Sequence, residues 1–143
     1  MPYKYLEEIA TADIAFEAWA DTLNDLFIVA SDAMVNVMVE ELDTIKKAES
    51  KLLRLQNMAL DLLLFDVLQE IIYYKDALRL ILRLDNAEIK ENNGEFRFEG
   101  TASGELIDPK RHKLSADVKA VTFYQFRLSN REGIWNAHVV LDI

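Results

Sequence analysis

The sequence predicts an α+β domain in which two α-helices pack on a mainly antiparallel β-sheet. Three observations carry that expectation. Residues 23–38 and 57–77 repeat apolar side chains at helical spacing. The second half alternates apolar and polar residues around Asn93-Gly94, a pair suited to the positive φ angles of a tight hairpin. Residues 135–143 read Trp-Asn-Ala-His-Val-Val-Leu-Asp-Ile, again with a period of two.

Composition bounds the classes of function. At 143 residues the chain makes one domain, spanning 1–143, with enough length for a real core. Hydrophobic residues make up 51% and charged residues 29%, the balance of a globular chain and not a disordered one. The net charge of −9 argues against strong direct nucleic-acid binding by general phosphate attraction. It suits basic partner surfaces or cations. With no cysteine, disulfides, thiol chemistry and zinc–thiolate sites are excluded. The first residues, Met-Pro-Tyr-Lys-Tyr-Leu-Glu-Glu, hold no apolar signal core, and no run of about 18 uncharged apolar residues occurs. No membrane association and a cytoplasmic location are expected.

In chain order, residues 3–9 read as a first strand, with Pro2 where a missing donor does no harm. Ile14, Phe16 and Ala18 alternate with Ala15, Glu17 and Trp19, giving a second strand with Asp13 at its start. Asp21 or Thr22 caps the first helix, where Leu23, Leu26, Phe27, Ala30, Met34, Val37 and Met38 form the apolar face. That methionine and aromatic stripe is read as core. Residues 39–50 are a mixed-charge loop, and 51–56 are either a strand or the first turn of a helix, read as a strand running to Leu55. Asn57 is expected to cap a second helix that runs to about Ala77. This helix is apolar over most of its circumference, with Asp61, Asp66, Gln69, Glu70, Lys75 and Asp76 on a narrow wet stripe.

Beyond it, residues 79–90 hold strand material. Residues 95–106 form the cleanest strand, and their small side chains leave room for close packing by another element. Residues 107–113 form a loop with the basic cluster Lys110, Arg111, His112 and Lys113. Residues 118–128 are read as one strand, and 130–133 as the turn into the last.

The chemical searches narrow the field. Four glycines leave no phosphate loop, and neither a Gly-x-Ser-x-Gly elbow nor a cysteine nucleophile exists. His138 stands four residues before Asp142, about 13 Å away along a strand. His112 is read as a solvated loop residue. Asp142 and the carboxylate of Ile143 lie side by side at a strand end. Held together they repel, and a hard cation with oxygen ligands would suit the place, unless it is simply a solvated strand end. Asp13 is either a turn residue bonding its own backbone or a ligand.

Several motifs in order resemble the archease family. They are Thr11-Ala12-Asp13-Ile14, then Gly104-Glu105 with Asp108, Arg111 and His112, then Val118-Lys119-Ala120-Val121-Thr122, and finally Val139-Val140-Leu141-Asp142-Ile143. The leucine- and tyrosine-rich stretch 62–74 is similar to the family's second helix. The resemblance spans essentially the whole chain. One departure is Ala10, where the family usually has His before Thr-Ala-Asp.

The resemblance implies a small α+β accessory factor that is not an enzyme. It implies a partner, the RtcB-type RNA ligase that joins tRNA halves, whose guanylylation by GTP with a divalent metal archeases promote. It further implies a site for calcium, magnesium or manganese on Asp13, Asp142 and the carboxylate of Ile143, and a part in activation for Lys119. The alternative is a chaperone-like module for tRNA-processing or tRNA-modifying enzymes, with the metal only structural. A metal-dependent hydrolase is a third class, for which neither general base nor nucleophile stands out.

Overall fold

The computed structural model describes residues 2–6 and 12–143. Its elements are β1 (Tyr3–Tyr5), β2 (Asp13–Ala20), α1 (Leu23–Met38), a 3-10 turn at Leu42–Thr44, β3 (Glu49–Asn57), α2 (Leu60–Leu78), β4 (Leu80–Leu84), β5 (Glu88–Asn92), β6 (Glu95–Leu106), β7 (Ala120–Val121), β8 (Arg127–Arg131) and β9 (Ile134–Asp142). The expected two helices on antiparallel strands are there, but the strands form two sheets rather than one. In the first, β9 is flanked along its length by β2 on one edge and by β8 and then β7 on the other. In the second, β6 has β3 on one edge and β5 and then β4 on the other. Each sheet thus has a long central strand with one long and two shorter partners, β1 adds a fifth strand to the first sheet on the outer edge of β2, and every pairing described is antiparallel.

Local chemistry accounts for most boundaries. Thr22 caps α1, its Oγ1 accepting from the Asp25 N–H at 3.1 Å. The α1 face of Leu26, Phe27, Ala30, Met34, Val37 and Met38 is buried, as its spacing predicts. Asn93 and Gly94 take φ of 53° and 78°, which turns β5 into β6. Gly104 lies so close to β4 that a Cβ there would stand 1.7 Å from the Ile81 carbonyl oxygen. The small residues of β6 do admit a neighbour, and that neighbour is a strand of the same sheet.

Five expectations need correction. Asn57 does not cap α2. It is the last residue of β3, still paired with Phe96, while Ala59 takes the cap position and Asn57 Oδ1 accepts the Ala59 N–H at 3.1 Å. Strand pairing with the long β6 carries the chain two residues further than cap preference suggests. It also starts the strand at Glu49, not Lys51, and residues 39–48 include the short 3-10 turn.

Residues 118–128 are not one strand, since 123–126 leave the sheet edge between β7 and β8. Phe123 stacks on Phe65 of α2 with ring centroids 4.3 Å apart, and Phe126 meets the same ring edge-on at 5.4 Å. Lys75 is not on a wet stripe but buried. His112 is not solvated but 1% exposed. Of the expected first strand, residues 7–9 lie outside the described residues, as do Ala10 and Thr11 of the first motif.

Both helices pack on both sheets: α1 against β2, β9 and β4, and α2 against β3, β4 and β7. The core between them holds Phe16, Phe27, Leu63, Leu68, Ile71, Phe98 and Val139, with Phe27 and Phe98 stacked at 5.7 Å across the helix–sheet boundary. None of the helices described is long and apolar enough to cross a membrane.

Candidate functional site

The pairing of β2 with β9 brings the two ends of the sequence together. Asp13 lies directly opposite Asp142. The Ile143 N–H donates to the Ala12 carbonyl at 2.9 Å, so residues 12 and 143 form a hydrogen-bonded pair. Residues 13 and 142 are then the alternate, closer kind of pair, with both side chains on one face and Cβ atoms about 4.5–5.5 Å apart. On the other edge of β9, Asp142 faces Ala120, and its carbonyl accepts the Lys119 N–H at 2.8 Å. Three of the sequence-derived positions, with the backbone of the fourth, therefore meet at one end of the first sheet.

The electrostatics of this corner are unbalanced. Like charges directly opposite on a sheet repel. Among the described residues neither Asp13 nor Asp142 is in an ion pair or accepts a side-chain hydrogen bond. Both are half-buried, as is Ile143, whereas Lys119 is exposed. Among the described residues no group of three or more His, Cys, Asp and Glu side chains is placed to hold a metal ion. Among the described residues the side chains at this corner supply two carboxylates, and the further oxygen donors there are main-chain groups. Such an all-oxygen, anionic donor set fits a hard divalent cation and not a thiophilic metal.

His138 takes no part. It lies opposite Glu17, and its ring Nδ1–H donates to the Gln125 carbonyl at 2.8 Å, tying down the 123–126 connection.

A model of the Archease protein family (MTH1598/TM1083) matches residues 3–143. The chain belongs to the archease family. Protein archease of Methanosarcina mazei is 36% identical over 142 residues, covering 99% of this chain and 95% of that protein. Protein archease of Methanopyrus kandleri is 33% identical over 144 residues, covering all of both chains. The solution structure of Methanobacterium thermoautotrophicum protein 1598 superposes with a TM-score of 0.85 at 28% identity, covering 99% of each chain. The crystal structure of the Thermotoga maritima archease, described as a possible chaperone, shares the fold with a TM-score of 0.59 at 18% identity, over 94% of this chain and 93% of that one.

Another archease motif forms a second polar cluster. The Asp108 N–H donates to His112 Nδ1 at 2.9 Å, which leaves the proton on Nε2 to donate to Glu105 Oε2 at 2.9 Å. Glu105 also pairs with Arg111 and accepts the Lys46 N–H at 2.7 Å. The Arg111 hydrogen bond, joined by those from Lys46 and His112, holds the Glu105 carboxyl down to about 2 against the opposing effect of burial. Arg111 further donates to the Thr44 carbonyl at 2.7 Å, and Lys113 pairs with Glu40. The basic cluster of residues 110–113 is therefore largely spent on internal contacts that fasten its loop to β6 and to the 3-10 turn.

Periodicity did not reveal the groups of α2 that reach the segment carrying Lys119. Lys75 is 6% exposed, with its Nζ donating to Asp117 Oδ1 at 2.5 Å and to the Val118 carbonyl at 2.8 Å. Gln69 Oε1 accepts the Val121 N–H at 2.6 Å. Both look like surface residues in the sequence, because nothing local shows that residues 113–122 cross over that part of the helix.

Proposed function

We propose that the protein activates an RtcB-type RNA ligase that joins tRNA halves, promoting guanylylation of the ligase by GTP and its repeated turnover. In this reading Asp13, Asp142 and the carboxylate of Ile143 hold a divalent cation such as calcium, magnesium or manganese, with water or partner groups completing the shell. Lys119 acts towards the partner, because a charged lysine is a donor and not a metal ligand. The protein is then an accessory factor of a cytoplasmic enzyme and not itself an enzyme. The observation that carries the reading is the register of Asp13 against Asp142 beside Lys119, in a chain of the archease family.

The test is a multiple-turnover ligation assay with GTP and divalent metal, with and without this protein. Repeated turnover only with the protein present supports the reading, and unchanged turnover sinks it. Lys119→Ala is expected to lower the stimulation while leaving metal affinity in place.

A second reading is a chaperone-like module for tRNA-processing or tRNA-modifying enzymes. The exposed rings of Phe123 and Tyr124, 71% and 56% accessible on the connection that leads away from Lys119, favour it. Less aggregation of the ligase with no change in its rate would select this reading.

A further inference from the structure

The segment that carries Lys119 is thinly held by its sheet. β7 pairs with β9 over only two residues, Ala120 with Asp142 and Val121 with Leu141, flanked by the Lys119 N–H to the Asp142 carbonyl at 2.8 Å and by the Thr122 N–H and hydroxyl to the Val140 carbonyl, each at 3.0 Å. Its other edge faces α2, which supplies what a neighbouring strand would. Gln69 Oε1 accepts the Val121 N–H at 2.6 Å, and Lys75 Nζ donates to the Val118 carbonyl at 2.8 Å.

The spacing of the two tethers matches the segment. Six helical residues advance about 9 Å at 1.5 Å each, and three extended residues span about 10 Å. Lys75 is itself fixed by Asp117 at 2.5 Å and Asp76 at 2.7 Å. Val118 is fully buried, whereas Lys119, between the tethers, points to solvent.

We propose that Gln69 and Lys75 are positioning residues, with α2 serving as a substitute strand that fixes residues 118–121 and so sets where Lys119 acts beside the Asp13–Asp142 pair. This rests on the ligase-activation reading. The tethers bond the main chain on either side of Lys119 and act through it. The acceptor oxygen of Gln69 is what matters, not its length. Gln69→Met keeps the length and removes the acceptor, whereas Gln69→Glu keeps an oxygen there.

The experiment compares the wild type, Gln69→Met, Gln69→Glu and Lys75→Met by native amide exchange, and the two Gln69 variants in the multiple-turnover ligation assay. In Gln69→Met, exchange at Val121 and Lys119 is expected to rise about tenfold while the centre of β9 stays protected. Lys75→Met is expected to raise exchange at Lys119. Stimulation should fall in Gln69→Met and persist in Gln69→Glu. In a Lys119→Ala background Gln69→Met should cost nothing further, because both changes remove one function. Full stimulation by Gln69→Met, unchanged exchange, or an equal added loss in the Lys119→Ala background each overturns the inference. A wild type without effect on the ligase overturns the functional reading instead. The exchange arm then still decides whether α2 holds the segment.

Discussion

Asp13 and Asp142 set two carboxylates against each other across a close cross-strand pair, an arrangement that costs about 0.2–1 kcal/mol without a cation. Asp13→Asn is therefore expected to raise the melting temperature of metal-free protein slightly. With the proposed cation held at these residues, calcium, magnesium or manganese should raise the wild-type melting temperature further, and Asp13→Asn should abolish most of that rise. Melting curves with and without each metal check both halves, and a full metal-induced rise in the variant would remove Asp13 from the site.

Glu105 makes a different residue-scale prediction. Its folded carboxyl stands at about 2, below the ordinary 4.5. A depressed acid stabilises the fold above its unfolded value and loses that contribution as pH falls towards the folded one. Wild-type stability should therefore decline between pH 4.5 and 2, with a shallower decline in Glu105→Gln across that window. Chemical denaturation at stepped pH measures it, and equal slopes would show that the Arg111–His112 cluster contributes little in acid.

At the scale of elements, β6 depends on its missing side chains. Gly104 pairs with Glu49 of β3 and Leu82 of β4, and a methyl there would overlap the Ile81 carbonyl. Gly104→Ala is expected to cost at least the upper part of the ~1–3 kcal/mol usual for overpacking, since backbone and not a flexible side chain must move. A denaturant midpoint unchanged from wild type would contradict this close approach. The elements also show which signals were local. Thr22 and Asn93-Gly94 do in the structure what their chemistry suggests, because a cap and a two-residue turn are satisfied within four residues. The start of α2 and the break in 118–128 were missed because distant partners decide them, β6 holding Asn57 in the ladder and Phe65 drawing Phe123 off the edge.

At the scale of the molecule, the candidate site is made from opposite ends of the chain, so it exists only once the first sheet has closed. If the carboxylate of Ile143 is the third donor, a few residues appended after it replace a charged oxygen pair with a neutral amide carbonyl. Metal affinity by calorimetric titration should then fall, with the melting temperature of the metal-free protein unchanged, whereas an N-terminal tag should leave affinity intact. Equal affinity in the extended protein would strike the terminal carboxylate from the site.

The sequence by itself determined the α+β class, both helices and the Asn93-Gly94 turn, because periodicity, caps and short turn motifs are written in neighbouring residues, whereas the candidate site residues entered as a set through the family resemblance. Only the tertiary structure decided that the strands divide between two sheets, that Asp13 and Asp142 are register partners, that His112 and Lys75 are buried, and that α2 braces the strand bearing Lys119. Register and burial are set by which distant backbone lies alongside, and a free energy shared between residues far apart leaves no pattern in either one alone.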